Sequence, residues 1–147
     1  MKNKKIVLIQ GAFDILNYGH VRAFRRAKSE GDYLIVALNT NPLILDYKQR
    51  IAVMPWRQKK IILESIRYID KVVVAPDFSP MKLLRKYDVD VYCLTREWEP
   101  TKAEELAYMK KKGGRVVFMP RYKGAIPTSE IKKRLLAEHL SNEGVTK

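Results

Sequence analysis

The stretch Ile6-Val7-Leu8-Ile9-Gln10-Gly11-Ala12-Phe13-Asp14-Ile15-Leu16-Asn17-Tyr18-Gly19-His20 passes from an apolar, β-branched run through one glycine into the start of a helix. It reads as a buried strand ending at Gln10, a glycine that permits close backbone approach, and a helix beginning close to Gly19. A helix N-terminus presents unpaired N–H groups and the positive end of its dipole, which together suit a phosphate. His20 falls in that first turn, where an imidazole can donate a hydrogen bond to a phosphate oxygen. Asn17 and Tyr18 stand just before it. In an open α/β sheet such a junction lies at the carboxyl end of a central strand, where ligands collect. The G-x-G-x-x-G dinucleotide pattern is missing, so spacing alone supports an anion site and nothing narrower.

The same grammar continues outward. Apolar runs at Lys5–Gln10, Tyr33–Asn39, Lys71–Ala75, Val89–Leu94 and Arg115–Met119 alternate with helix-like segments. Most runs are continuously apolar, as for strands covered on both faces, and the alternation argues for a parallel sheet with right-handed crossovers. The expected helices cover Gly19 to Ser29, stopped by Glu30-Gly31, and Trp56 to Tyr68, with Ile61, Ile62, Ser65 and Ile66 spaced for one face. A third starts at Ser79-Pro80 and ends near Tyr87. A fourth, capped by Thr101, stops at Gly113-Gly114, and a last one opens at Thr128 or Ser129 and reaches about Leu140. Thr40 to Pro55 reads as a long irregular loop of the kind that forms lids, and it carries Lys48 and Arg50. One domain over 1–140 with a frayed tail at 141–147 is the expected organisation.

The chain has 147 residues, 46% of them hydrophobic, enough for one core. No run approaches the roughly 18 apolar residues of a membrane span, and no signal cleavage site follows the basic N-terminus. A soluble, cytoplasmic protein is expected. Cys93, the single cysteine, sits inside an apolar run and reads as strand core. With two histidines besides, a zinc cage is not expected. The 29 Lys+Arg against 16 Asp+Glu give a formal charge of +13, a surface that attracts polyanions. The basic groups at Arg22–Lys28, Lys59–Lys60, Lys110–Lys112 and Lys132–Arg134 sit on expected helices, where they read first as solvated faces.

Gly11-x-Phe13-Asp14 followed by Asn17-Tyr18-Gly19-His20 resembles the signature of the cytidylyltransferase-like nucleotidyltransferases. The resemblance continues in order through Gly31 to Ala37, Ile62 to Val72, Trp98-Glu99, Met119-Pro120-Arg121 and Ile126 to Ile131. It implies a single Rossmann-like α/β domain, a five-stranded parallel sheet of order 3-2-1-4-5 with helices on both faces. It also implies attack of a substrate phosphate on the α-phosphate of a nucleoside triphosphate, with pyrophosphate leaving. Such chemistry depends on positioning and charge stabilisation. By resemblance, His20 and Asn17 would contact the triphosphate, Lys48 would close over it, Arg121 would grip it from the other side, and Thr128 would add a hydroxyl. Gly11, Ala12, Phe13, Asp14, Gly19, Arg96, Glu97, Trp98 and Ser129 would bind the nucleotide, Phe13 and Asp14 by shaping the loop and Trp98 by flanking the base. The resemblance further implies Mg2+ carried on the triphosphate, CTP in preference to ATP, a small phosphorylated acceptor and a homodimer.

The family usually has histidine where this chain has Asn17, a residue that still donates hydrogen bonds but carries no charge. Pro127 replaces a serine, Lys59 falls where an arginine is usual with Arg57 as an alternative, and Thr95-Arg96-Glu97 replaces a glycine with acidic residues. Arg96 and Lys123 therefore suggest an acceptor more anionic than a simple polyol phosphate. Two other functions compete: nucleotide binding without turnover, which Asn17 would explain, and nucleic-acid binding, which the +13 charge suggests but no recognised motif supports.

Overall fold

A computed structural model describes residues 3–143. Its strands are β1 (Ile6–Gly11), β2 (Tyr33–Asn39), β3 (Lys71–Ala75), β4 (Val91–Leu94) and β5 (Arg115–Phe118). They pair in the order β3-β2-β1-β4-β5, every pairing parallel, with Ile6 opposite Tyr33 and Leu8 opposite Tyr92. The five-stranded order implied by the resemblance is the one found. Successive strand residues face opposite sides, and both sides are covered. Val7 and Ile9 pack with Phe24 and Leu63 on one side, while Leu8 packs with Leu84 and Met109 on the other. That is why the strands read as unbroken apolar runs. Cys93 belongs to the first of these layers, as expected.

The helices are α1 (Tyr18–Lys28), α2 (Asn41–Lys48), α3 (Trp56–Glu64), α4 (Met81–Lys86), α5 (Ala103–Lys111) and α6 (Thr128–Glu143). The expected irregular loop from Thr40 to Pro55 is half helix. Thr40 caps α2 by accepting from the Leu43 N–H, and Pro42 sits in its first turn. Both signals stand in the sequence; what is missing is a stop, because Gln49 closes the helix in left-handed geometry (φ 54°) where glycine is usual. Helix α3 is shorter than expected, ending at Glu64 with Ser65 as its cap, and the remainder to Asp70 forms turns. It buries Lys59 and Leu63, and Ile61 and Ile62, expected on its buried face, are exposed.

Thr101 does not cap α5. It closes a 3-10 helix at Arg96–Thr101, its hydroxyl donating to the Trp98 carbonyl at 2.7 Å. Gly113 stops α5 as expected, with φ 79°. Gly31, in contrast, is not a left-handed cap: a Cβ there would lie 2.6 Å from Val7 Cγ2 and 2.7 Å from the Lys5 carbonyl oxygen. Helix α6 continues through Glu143, so the first three residues of the expected tail are helical. Residues 144–147 of that tail lie outside the described residues. Among the described residues, no helix is long and apolar enough to cross a membrane.

Candidate active site

The carboxyl ends of the strands open onto a cavity of about 590 Å³, a size that suits a small-molecule ligand. Its centre is the loop from Gly11 to His20. A Cβ on Gly11 would sit 2.8 Å from the Phe13 ring, so the glycine makes room for that ring. Phe13 is buried with φ 45°, an uncommon conformation for a bulky residue, and its ring packs edge-on against His20 and Phe24.

Asp14 is the loop's anchor and is 2% exposed. Its carboxylate accepts from the backbone N–H groups of Val53 (2.9 Å) and Met54 (3.0 Å), which ties down the chain after α2. Arg50, Lys59 and Lys132 converge on it at 3.2, 3.8 and 3.4 Å. Burial pushes the Asp14 carboxyl up, but these hydrogen bonds and charges outweigh it and hold the group below its ordinary value. Lys59 is correspondingly no solvated surface residue. It is fully buried, and its ammonium also donates to the Ala12 carbonyl at 2.9 Å. Three cations around one carboxylate leave the region positive, and Lys48 adds a fourth charge at the end of α2. Burial, with Arg50 and Lys132 nearby, pushes the Lys48 ammonium below its ordinary value against the pull of Glu97 and Asp14.

The α1 N-terminus is built by a reciprocal cap. Asn17 Oδ1 accepts from the Gly19 N–H at 3.0 Å, while the Asn17 N–H donates to His20 Nδ1 at 3.2 Å. Burial, and the Lys48 charge beside it, lower the His20 pKa to about 4, so the ring is neutral at pH 7. Because Nδ1 is the acceptor, the proton of the neutral ring resides on Nε2, and His20 lines the cavity. The Asn17 amide is not free to reach a phosphate. Its Nδ2 donates to the Ile15 carbonyl (2.8 Å) and to Thr128 Oγ1 (3.2 Å), which ties α1 to the start of α6.

Of the residues singled out in the sequence, Gly11, Ala12, Phe13, Asp14, Asn17, Gly19 and His20 line the cavity floor. Lys48, Glu97, Trp98, Arg121, Thr128 and Ser129 line its sides. Arg96 does not line it: its guanidinium stacks 4.2 Å from the Phe118 ring centroid and pairs with Glu99 at 3.3 Å, out in solvent. Lys123 is exposed and also off the cavity wall. Trp98 meets Tyr47 and Phe78 edge-on, at centroid distances of 5.7 and 5.8 Å. Tyr47, Phe78, Gln10, Asn39 and Lys102 also line the cavity and were not anticipated. Tyr47 is one residue from Lys48, and recognising α2 would have drawn attention to it; nothing in the sequence marks Lys102.

Comparison with known proteins bears directly on this arrangement. The profile of the cytidylyltransferase-like family matches residues 8–134. The chain belongs to the cytidylyltransferase-like family. It is 37% identical over 132 residues to glycerol-3-phosphate cytidylyltransferase of Staphylococcus aureus, covering 89% of this chain and 95% of that one. To the protein of the same name from Bacillus subtilis it is 35% identical, covering 89% and 97%. Among solved structures, a lipopolysaccharide core biosynthesis protein from Thermoplasma volcanium superposes with a TM-score of 0.73 at 20% identity, over 82% of this chain and all of that one. The match to the family spans both sides of the cavity in this cytidylyltransferase-like chain, from β1 to α6.

Proposed function

We propose that the chain moves the CMP unit of CTP onto a small phosphorylated acceptor, such as a polyol or sugar phosphate, releasing pyrophosphate. The observation that carries this reading is His20: a neutral imidazole, oriented through Nδ1, with its N–H left for a cavity surrounded by cations. An oxygen of the acceptor phosphate attacks the α-phosphorus, a new P–O bond forms, and the bond to the β-phosphate oxygen breaks. Charge grows on the phosphate oxygens, and a donor already aimed at them costs no reorganisation. His20 would supply one N–H, Lys48 and Arg121 would hold the triphosphate from opposite sides, and Thr128 would add its hydroxyl. Asn17 acts here as a positioning residue, fixing His20 and Thr128 relative to each other.

Magnesium carried on the triphosphate would supply positive charge that offsets the phosphates during the transfer. No group of three His, Cys, Asp or Glu among the described residues could hold such an ion, so the phosphates themselves would be its ligands. CTP in preference to ATP is supported by the names of the most similar relatives. Tyr18 and Val21, exposed beside the junction, support a homodimer contact there. A cytoplasmic setting suits Cys93, a buried free thiol with no second cysteine in the chain to pair with. The test is pyrophosphate release with magnesium, CTP or ATP, and a panel of glycerol 3-phosphate, ethanolamine phosphate and sugar phosphates. CTP with one phosphorylated acceptor should be required; faster release with ATP, or release indifferent to the acceptor, would contradict the proposal.

A further inference from the structure

The cavity has a second cationic feature, on the other side from Arg121 and Thr128. Lys102 lies just past the 3-10 helix and is 5% exposed, yet it forms no ion pair with any described carboxylate. Its ammonium lies 3.4 Å from the Phe78 ring centroid and donates to the Phe78 carbonyl at 2.5 Å. Other tethered lysines of this chain have a carboxylate at the tip: Lys59 has Asp14, Lys28 has Asp70 and Lys112 has Asp88. Glu105 pulls on Lys102 only from beyond ion-pair distance, and its carboxylate accepts from the Ser79 hydroxyl. A buried cation without a counter-charge is costly unless something supplies one.

Beside it is an unmet acceptor. Gln10 Nε2 donates to Asn39 Oδ1 at 2.9 Å and to the Asp77 carbonyl at 3.0 Å, and approaches the same Phe78 carbonyl at 3.5 Å. Those two carbonyls fix the amide's orientation, because its oxygen could not face them. Gln10 Oε1 is then left buried with no donor among the described residues. A buried cation with no carboxylate within ion-pair distance and a carbonyl lacking a donor therefore lie together in one wall of the cavity.

We propose that Lys102, with Gln10 beside it, binds the acceptor: the ammonium takes its phosphate and the amide oxygen takes a hydroxyl or N–H of the same molecule. This rests on the transfer reaction proposed above. In an in-line displacement the nucleophile approaches opposite the leaving pyrophosphate. The two faces of the sheet support that division. Lys102 follows β4 and reaches Phe78 on the face that carries Trp98, Leu84 and Met109, whereas Thr128 bonds Asn17 on the face that carries Phe13 and Phe24. On this proposal the Trp98–Tyr47–Phe78 cluster would wall the acceptor side. The source of acceptor specificity passes from the exposed Arg96 and Lys123 to a buried lysine.

The test is calorimetric titration of glycerol 3-phosphate, glycerol and CTP into wild-type protein and Lys102→Met, with thermal melting of both. Methionine keeps the stem over Phe78 and removes the charge. Glycerol 3-phosphate affinity should fall about 10- to 100-fold, the range for hydrogen bonds to charged groups, while CTP affinity stays within about twofold. Wild-type protein should bind glycerol 3-phosphate more tightly than glycerol, a comparison that needs no variant. Unchanged glycerol 3-phosphate affinity in Lys102→Met, a matching loss for CTP, or wild-type protein that does not prefer the phosphate would each overturn the proposal. A fall in melting temperature with ligand binding intact would assign Lys102 a structural role instead. If Lys102-dependent binding occurs without pyrophosphate release, the transfer reaction fails and this site stands. If release occurs but Lys102→Met leaves the acceptor KM untouched, the reverse holds.

Discussion

The β1–α1 junction and the β4–α5 junction both open onto the same cavity, but they are built in opposite ways. From Gly11 to His20 the side chains are interlocked: Phe13 is buried, Asp14 gathers two N–H groups and three cations, and Asn17 and His20 cap each other's turn. From Arg96 to Thr101 the chain is a 3-10 helix with no buried residue inside it. Arg96 and Glu99 pair in solvent, while Thr95, Glu97, Trp98 and then Lys102 line the cavity. The first region holds a geometry that the transfer chemistry needs whatever the acceptor. The second leaves much of its surface in solvent while placing a few side chains on the cavity wall.

Breaking the first region should have the largest effects. Asp14→Ala leaves Lys59 buried with an uncompensated charge and frees the segment after α2. It should cost about 3–5 kcal/mol of stability in urea denaturation. A loss below 1 kcal/mol would mean that the loop holds itself without its anchor. His20→Ala should lower kcat about 10²–10³-fold, the usual cost of one transition-state donor, measured as pyrophosphate release at saturating substrates. The same residue sets a pH dependence of stability. Its folded pKa of about 4 lies below the ordinary 6.5, so between those values the unfolded chain takes up a proton that the folded chain refuses. Stability should therefore rise with pH from about 4 to about 6.5 and then level off, and His20→Gln should flatten that slope in melts across the range. A slope unchanged in His20→Gln would place its origin elsewhere.

Smaller changes sharpen the contrast. Asn17→Ala removes a helix cap and the bridge to Thr128 and should cost about 0.5–2 kcal/mol, with a fall in kcat if His20 loses its orientation. In the second region, Arg96→Ala should shift stability by no more than about 0.5 kcal/mol and leave pyrophosphate release unchanged. A large rate effect there would bring the 3-10 segment into the chemistry.

What the sequence made legible follows the same division. The strands were readable because both faces of the sheet are covered, so β1, β2 and β4 show unbroken apolar runs. The floor of the cavity was readable from the strand, glycine and helix start only as an anion site; Phe13, Asp14 and the role of His20 were singled out by the resemblance of Gly11 to His20 to the family signature. Helix α2 was hidden by its stop, since Gln49 takes a conformation ordinarily marked by glycine. Asn17 was read as a phosphate donor because its local use in the cap, and its contact with Thr128 across 111 residues, depend on tertiary structure. Lys59 read as a member of a solvated basic run, and nothing in the sequence marked Lys102. Only packing reveals that one neutralises Asp14 and the other has no carboxylate partner.

The central claim is that the junction from Gly11 to His20 directs transfer of a nucleotidyl group to a phosphorylated acceptor. The most direct measurement uses CTP labelled in its α-phosphate, incubated with magnesium, glycerol 3-phosphate and the purified protein. The label should appear in a product joining CMP to the acceptor, in equal amount to the pyrophosphate formed, and His20→Ala should lower the rate of both about 10²–10³-fold. Label recovered only as free CMP, or a product that forms equally well in His20→Ala, would contradict the account.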